Sequence, residues 1–274
     1  MKNNLKKNNP IGVFDSGIGG LTVAHAIQQK LPNEQLIYFG DTAHLPYGDK
    51  ESYSIKHYAT EISKFLVEKN CKAIIIACHT ASAIAYKEIQ KVVGNKAIVI
   101  NVIEPVVKLF SKDNFPKQEN VGIIGTKGTI RSNIYTKLIK AENDQLGVKS
   151  LETPLLAPMI EEGFINDKIS QAIIDSYLSN KTLNEINHIV LACTHYPLIK
   201  KQIASFYNDK INVIDSSEVV AQYLYEVLRT NNLLNNNKTA QHTFYVSDFT
   251  ESFEKSTRFF FEKEITLEKK NIWS

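Results

Sequence analysis

Two short apolar runs, far apart in the chain, each end in Ala-Cys and lead into a Thr/His pair in opposite order. The first reads Ala73-Ile74-Ile75-Ile76-Ala77-Cys78-His79-Thr80 and the second His188-Ile189-Val190-Leu191-Ala192-Cys193-Thr194-His195. A continuous apolar run of this length, bounded by polar residues, predicts a parallel strand buried on both faces by helices. Each cysteine then stands at a strand's carboxyl end, where open α/β sheets hold their ligand crevice. Thiols in two matching places point to a pair acting on one substrate.

The pattern extends over most of the 274 residues. Strand-like runs fall at 11–14, 36–39, 73–77, 97–101, 121–125, 189–192, 211–214 and 243–246, with helical patterns at 52–69, 129–141, 167–179 and 217–230. Such alternation predicts parallel sheets with crossover helices. The segment Ile11-Gly12-Val13-Phe14-Asp15-Ser16-Gly17 echoes Val121-Gly122-Ile123-Ile124-Gly125-Thr126-Lys127. From 11 to 121 is 110 residues, and from Cys78 to Cys193 is 115. Near-equal offsets predict an α/β protein with two similar halves, joined near 101–119, where Pro105 and the polar run 111–120 interrupt the regularity. The Asn-rich patch 231–237 reads as a loop. Periodicity does not decide which half takes the residues beyond 211.

Composition narrows the function. With 43% hydrophobic and 22% charged residues the chain is an ordinary globular sequence. The net charge of +3 comes from scattered lysines, without the basic and aromatic patch that nucleic-acid binding requires. The polar, basic start (Met1 to Pro10) has no apolar region behind it, and no run is long enough to span a bilayer, so a cytoplasmic protein is expected. Three cysteines, Cys71, Cys78 and Cys193, suit neither a disulfide framework nor a zinc site, for no Cys-x-x-Cys or His-x-x-x-His spacing occurs.

A free thiol ionises near pH 8.5, and a helix N-terminus or a cation lowers that value. Both Cys78 and Cys193 precede helical patterns, whereas Cys71 reads as packing. Either thiol alone is most simply a buried apolar residue. Two at equivalent positions suit an acid/base pair on opposite faces of one carbon, each removing or returning a proton. Such a pair inverts a stereocentre; a nucleophilic mechanism would leave the second thiol unexplained. Asp15 and Ser16 end a strand before Gly17, Gly19 and Gly20; the loop fits neither a Walker A nor a dinucleotide fingerprint, but its N–H groups suit a small carboxylate. Asp41, Tyr47 and Gly48 are placed to line the same crevice, and His44 reads as an ordinary loop histidine. His195, two residues after Cys193, is positioned to tune that thiol. Glu161 and Glu162 read as helix-end carboxylates.

At these residues the chain resembles the glutamate racemases, cofactor-independent enzymes that supply D-glutamate for peptidoglycan. The matching pieces run in order: Phe14-Asp15-Ser16-Gly17-Ile18-Gly19-Gly20-Leu21-Thr22-Val23, Tyr38-Phe39-Gly40-Asp41-Thr42-Ala43-His44-Leu45-Pro46-Tyr47-Gly48, Ala77-Cys78-His79-Thr80-Ala81-Ser82, Val102-Ile103-Glu104-Pro105, Gly125-Thr126-Lys127-Gly128-Thr129-Ile130, Glu161-Glu162-Gly163 and Cys193-Thr194-His195-Tyr196-Pro197-Leu198. The resemblance implies two similar open parallel-sheet domains facing each other across a cleft, residues 1–101 with 212–274 forming the first and 102–211 the second. It implies Cys78 and Cys193 as proton-transfer residues, Asp15 and His195 as their helpers, and Asp41 and Glu161 as further acidic members. Substrate glutamate would be held by Asp15, Ser16, Tyr47, Gly48, His79, Thr80, Thr194 and His195. No cofactor, metal, nucleic acid or membrane is implied, and a homodimer is.

One position departs from the family pattern. Where the family reads Ala-Cys-Asn-Thr, this chain has His79. A neutral imidazole keeps one donor and one acceptor; a charged one has two donors and would lower the pKa of Cys78. The departure leaves two other readings open: a related racemase or isomerase for aspartate, hydantoins or maleate, and a ligand-binding regulatory protein that has lost turnover.

Overall fold

A computed structural model describes residues 5–115, 118–237, 241–249, 257–261 and 265–273. Ten strands form two parallel sheets. The first contains β1 (Ile11–Asp15), β2 (Leu36–Gly40), β3 (Ala73–Ile76), β4 (Ile98–Asn101), β9 (Thr243–Val246) and β10 (Leu267–Lys269), in the order β10-β9-β2-β1-β3-β4. The second contains β5 (Asn120–Gly125), β6 (Gly147–Glu152), β7 (His188–Ala192) and β8 (Asn212–Asp215), in the order β6-β5-β7-β8. The α-helices that cover them include α1 (Leu21–Lys30), α2 (Ser52–Glu68), α3 (His79–Val93), α4 (Glu104–Leu109), α5 (Lys127–Arg131), α6 (Ile134–Glu142), α7 (Leu156–Glu161), α8 (Lys168–Leu178), α9 (Lys200–Phe206) and α10 (Ser216–Thr230).

The internal echo is topological. The order β2-β1-β3-β4 repeats as β6-β5-β7-β8, so β3 and β7 occupy the same place in their sheets. In each sheet the chain leaves the leading strand toward one side and then returns to the other, making a switch point at which strand ends flare into a crevice. Cys78 follows β3 and Cys193 follows β7, each beside that point.

Alternate residues of the central strands bury opposite faces, as the pleat requires. Ile11, Val13 and Ile75 pack with α1 and α10, whereas Phe14, Ile74 and Ile76 pack with α2 and α3. The first of these clusters continues without a break into the core of the second sheet.

Four details differ from the sequence-based expectation. The helix expected over 129–141 is divided into α5 and α6, because Asn133 takes a left-handed conformation (φ 55°) between them. Strand β6 has no apolar run, since it is an edge strand half-buried along its whole length. Strand β10, only three residues long, was also not anticipated. Residues 212–215, expected in the first domain, instead pair with β7 as β8, so the second sheet extends past 211. The chain therefore crosses between the sheets twice, once between β4 and β5 and again between β8 and β9.

Candidate active site

The carboxyl ends of both sheets converge on a cavity of about 220 Å³. Its walls include Ser16, Tyr47, Gly48, Cys78, His79, Thr80, Glu161, Cys193, Thr194 and His195, so ten of the residues singled out from sequence meet here. A larger, more open depression of about 610 Å³ lies between α1 and α10 but contains neither thiol, which makes the smaller cavity the site of interest.

Cys78 caps α3: the Ala81 N–H donates to its Sγ at 3.4 Å, and its thiol donates to Ser16 Oγ at 3.5 Å. The expectation that the helix start would lower this thiol's pKa is overturned. Burial, reinforced by the nearby Asp15 carboxylate, outweighs the Ala81 and Ser16 contacts and pushes it up to about 12. Asp15 ends β1 fully buried, just beneath the cavity wall, and accepts the Gly17 N–H at 3.1 Å. Burial also raises its pKa, against the charge of His195 and the N–H groups of Gly20 and Gly17.

The opposite wall is tuned differently. His195 Nδ1 faces Cys193 Sγ at 3.5 Å, while Nε2 lies 2.8 Å from Glu161 Oε1. Burial alone would strip His195 of its proton, but Cys193 and Glu161 outweigh it and hold the pKa well above 6.5. The ring thus sits between thiol and carboxylate, its Nδ1 facing Cys193 and its buried Nε2 close to Glu161 without an aligned hydrogen bond. Cys193 itself is followed by a 3-10 turn (Tyr196–Ile199), so no α-helix starts at this thiol as α3 starts at Cys78. The first-domain loop presses against this imidazole: a Cβ at Gly19 would lie 2.4 Å from His195 Cε1, and only glycine fits.

His79 stands with both ring nitrogens buried and without partners, its ring 6.3 Å from that of Tyr135 and nearly parallel to it. Burial lowers its pKa to about 3, so it is neutral and supplies Cys78 with no cationic help, contrary to one reading of the sequence. Thr80 closes the floor. Its hydroxyl meets Thr126 (2.9 Å) and Thr129 (3.2 Å) from across the cleft.

Asp41 does not line the cavity. Its buried carboxylate accepts the Tyr47 hydroxyl at 2.6 Å and the Ser247 hydroxyl at 2.8 Å, and lies 2.8 Å from His44 Nδ1. It acts on the site by holding Tyr47. Several wall residues were not singled out from the sequence, among them Leu45, Pro46, Thr126, Ala157 and Pro158. Thr126 had a signal, since it follows β5 as Ser16 follows β1; Ala157 and Pro158 had none. Among the described residues no three His, Cys, Asp or Glu side chains converge to hold a metal ion, and no helix is long and apolar enough to cross a membrane.

Two parallel α/β domains with a thiol from each at one enclosed cavity define a two-domain cleft protein. The chain belongs to the Asp/Glu/hydantoin racemase family, whose pattern it matches over residues 19–224. It is 42% identical over 262 residues to a glutamate racemase of Chlorobaculum parvum, covering 95% of each chain. Its structure is similar to that of Francisella tularensis glutamate racemase in complex with D-glutamate, with a TM-score of 0.90, 40% identity and coverage of 97% of this chain and 99% of that one. A Bacillus anthracis glutamate racemase is similar at a TM-score of 0.90 and 31% identity, covering 97% and 98%.

Proposed function

We propose that this protein interconverts L- and D-glutamate without a cofactor, with Cys78 and Cys193 as the two proton carriers. The observation that carries the reading is one thiol from each sheet on the same enclosed cavity, each at the carboxyl end of a matching strand. Cys193, whose Sγ faces Nδ1 of His195 at 3.5 Å, is the base in one direction. Cys78, whose pKa burial raises to about 12, is poised as the protonated acid. The Cys193 thiolate takes the proton from Cα of one enantiomer, leaving a planar carbanion conjugated with the carboxylate. The Cys78 S–H delivers its proton to the opposite face, so Cys193 ends as thiol and Cys78 as thiolate. The mirror substrate runs the sequence backward, as microscopic reversibility requires.

Asp15 assists Cys78, and Glu161 acts through His195. Asp41 acts through Tyr47. The backbone and hydroxyl groups at Ser16, Gly48, Thr80 and Thr194 supply donors for the substrate carboxylates, and neutral His79 supplies one more N–H. In this reading the D-glutamate feeds peptidoglycan synthesis in the cytoplasm and the protein works as a homodimer; membership of the racemase family supports it. Its domains divide as first residues 1–101 with the C-terminal return, then the central part through β8.

The test is incubation of L- or D-glutamate with purified protein in deuterated water, with aspartate in parallel. Deuterium at Cα of the product enantiomer is expected, undiminished by chelation and by stringent removal of pyridoxal phosphate. A protein inert on glutamate, or active on aspartate alone, would sink the assignment.

A further inference from the structure

A row of contacts leads from the C-terminal residues to the cavity wall. Trp273 packs perpendicular to His44, with ring centroids 4.7 Å apart and planes at 89°, and to Tyr58 at 5.3 Å and 79°. His44 lies flat on Tyr58 at 4.0 Å, and its Nδ1 is 2.8 Å from Asp41 Oδ1. Asp41 Oδ2 in turn accepts the Tyr47 hydroxyl at 2.6 Å, and Tyr47 shares the cavity wall with Cys78.

The segment between these partners is itself wall. Leu45, Pro46, Tyr47 and Gly48 line the cavity one after another. Beyond them the segment is tied to the other domain: Asp49 pairs with Lys127 at 3.1 Å, and a Cβ at Gly48 would come within 2.9 Å of Thr126. The wall is thus held by the buried Asp41–Tyr47 hydrogen bond, by an exposed ion pair on one side and by an aromatic stack on the other. An exposed ion pair holds weakly. The stack therefore restrains the His44 end of the segment, and Trp273 packs against both of its rings. Aromatic edge-to-face contacts of this kind exceed simple area burial in worth.

We propose that Trp273 is a positioning residue for substrate binding: by clamping His44 against Tyr58 it fixes the wall segment 44–48, and with it Tyr47, against bound glutamate. The proposal rests on the racemase reading and adds to it a link between the chain's C-terminal segment and the site.

Trp273 is the chain's single tryptophan, so its emission reports this contact alone. Titration of D- or L-glutamate into the full-length protein is expected to change that emission saturably, with a midpoint near KM. Trp273→Ala should raise KM for glutamate roughly five- to tenfold with kcat changed less than about twofold, the signature of lost binding rather than lost chemistry. Trp273→Phe, which keeps an aromatic edge, should restore most of the loss. Combined with His44→Ala, Trp273→Ala should add little, since both remove one shared contact. An unchanged KM in Trp273→Ala, a silent emission, or effects that multiply in the double variant would each overturn the clamp while active wild type leaves the racemase reading standing. A wild type inert on glutamate would overturn both.

Discussion

His195 Nε2 lies 2.8 Å from Glu161 Oε1, joining the end of α7 to the loop after β7. The other ring nitrogen faces Cys193, so the imidazole lies between a carboxylate and a thiol. These two neighbours outweigh burial and stabilise the imidazolium. The imidazolium is lost as pH rises through its raised pKa. Glu161→Gln removes one of the groups that raise it, so the loss should come at lower pH. The basic limb of the kcat/KM profile should therefore move to lower pH, because the carboxylate's charge no longer favours the imidazolium. A profile that overlays the wild type would show that Glu161 does not tune His195.

The two thiols are expected to be individually indispensable. Cys78→Ala and Cys193→Ala should each lower kcat for racemisation by about a thousandfold, within the range for loss of a positioned acid or base. Circular dichroism at fixed time in both directions measures it. Full turnover by either variant would remove that cysteine from the mechanism.

His79 offers a test by stability. Folded, it stays neutral to about pH 3, whereas an unfolded imidazole takes its proton near 6.5. Between those values the unfolded chain binds one more proton, so this group makes stability fall as pH drops through that window. His79→Asn should make acid destabilisation shallower by up to about 1.4 kcal/mol per pH unit. Urea unfolding at a series of pH values reads it, and equal slopes would refute the neutral, buried assignment. The same variant should racemise glutamate within about tenfold of wild type, because an amide also offers a neutral donor and acceptor; a fast variant beside an inert wild type would mean that His79 has abolished turnover.

Gly19→Ala should be far more harmful than its size suggests. The added Cβ would lie 2.4 Å from His195 Cε1 and 2.6 Å from both His195 Nδ1 and Thr194 Oγ1, so the imidazole must move. Displacement of a catalytic group by an ångström costs on the order of a hundredfold, and kcat/KM should fall by about that much. Thermal unfolding should shift little by comparison; a variant with normal kinetics would show that His195 tolerates displacement.

The parts of this fold that could be read from sequence are those where one residue reports its own surroundings. Ile74, Ile75 and Ile76 announce a strand buried on both sides, and Cys78 and Cys193 announce their places at the ends of matching strands. Strand β6 could not be read because a half-buried edge strand carries Lys149 and Ser150 where central strands carry isoleucine. The site was legible in membership but not in charge. Burial of Cys78 reverses the effect of its helix start, and burial keeps His79 neutral, and neither environment is visible from neighbours along the chain. Asp41 looked like a crevice carboxylate because it follows a strand end; its commitment to Tyr47, His44 and Ser247 depends on residues as much as 206 positions away.

The double crossing of the chain between its sheets has a mechanical consequence. Two connections, one between β4 and β5 and one between β8 and β9, tie the halves where a single one would leave them tethered at one point. The core that runs unbroken from the first sheet into the second tightens that tie, so the sulfur atoms on the two cavity walls are held to one another by packing as well as by the chain.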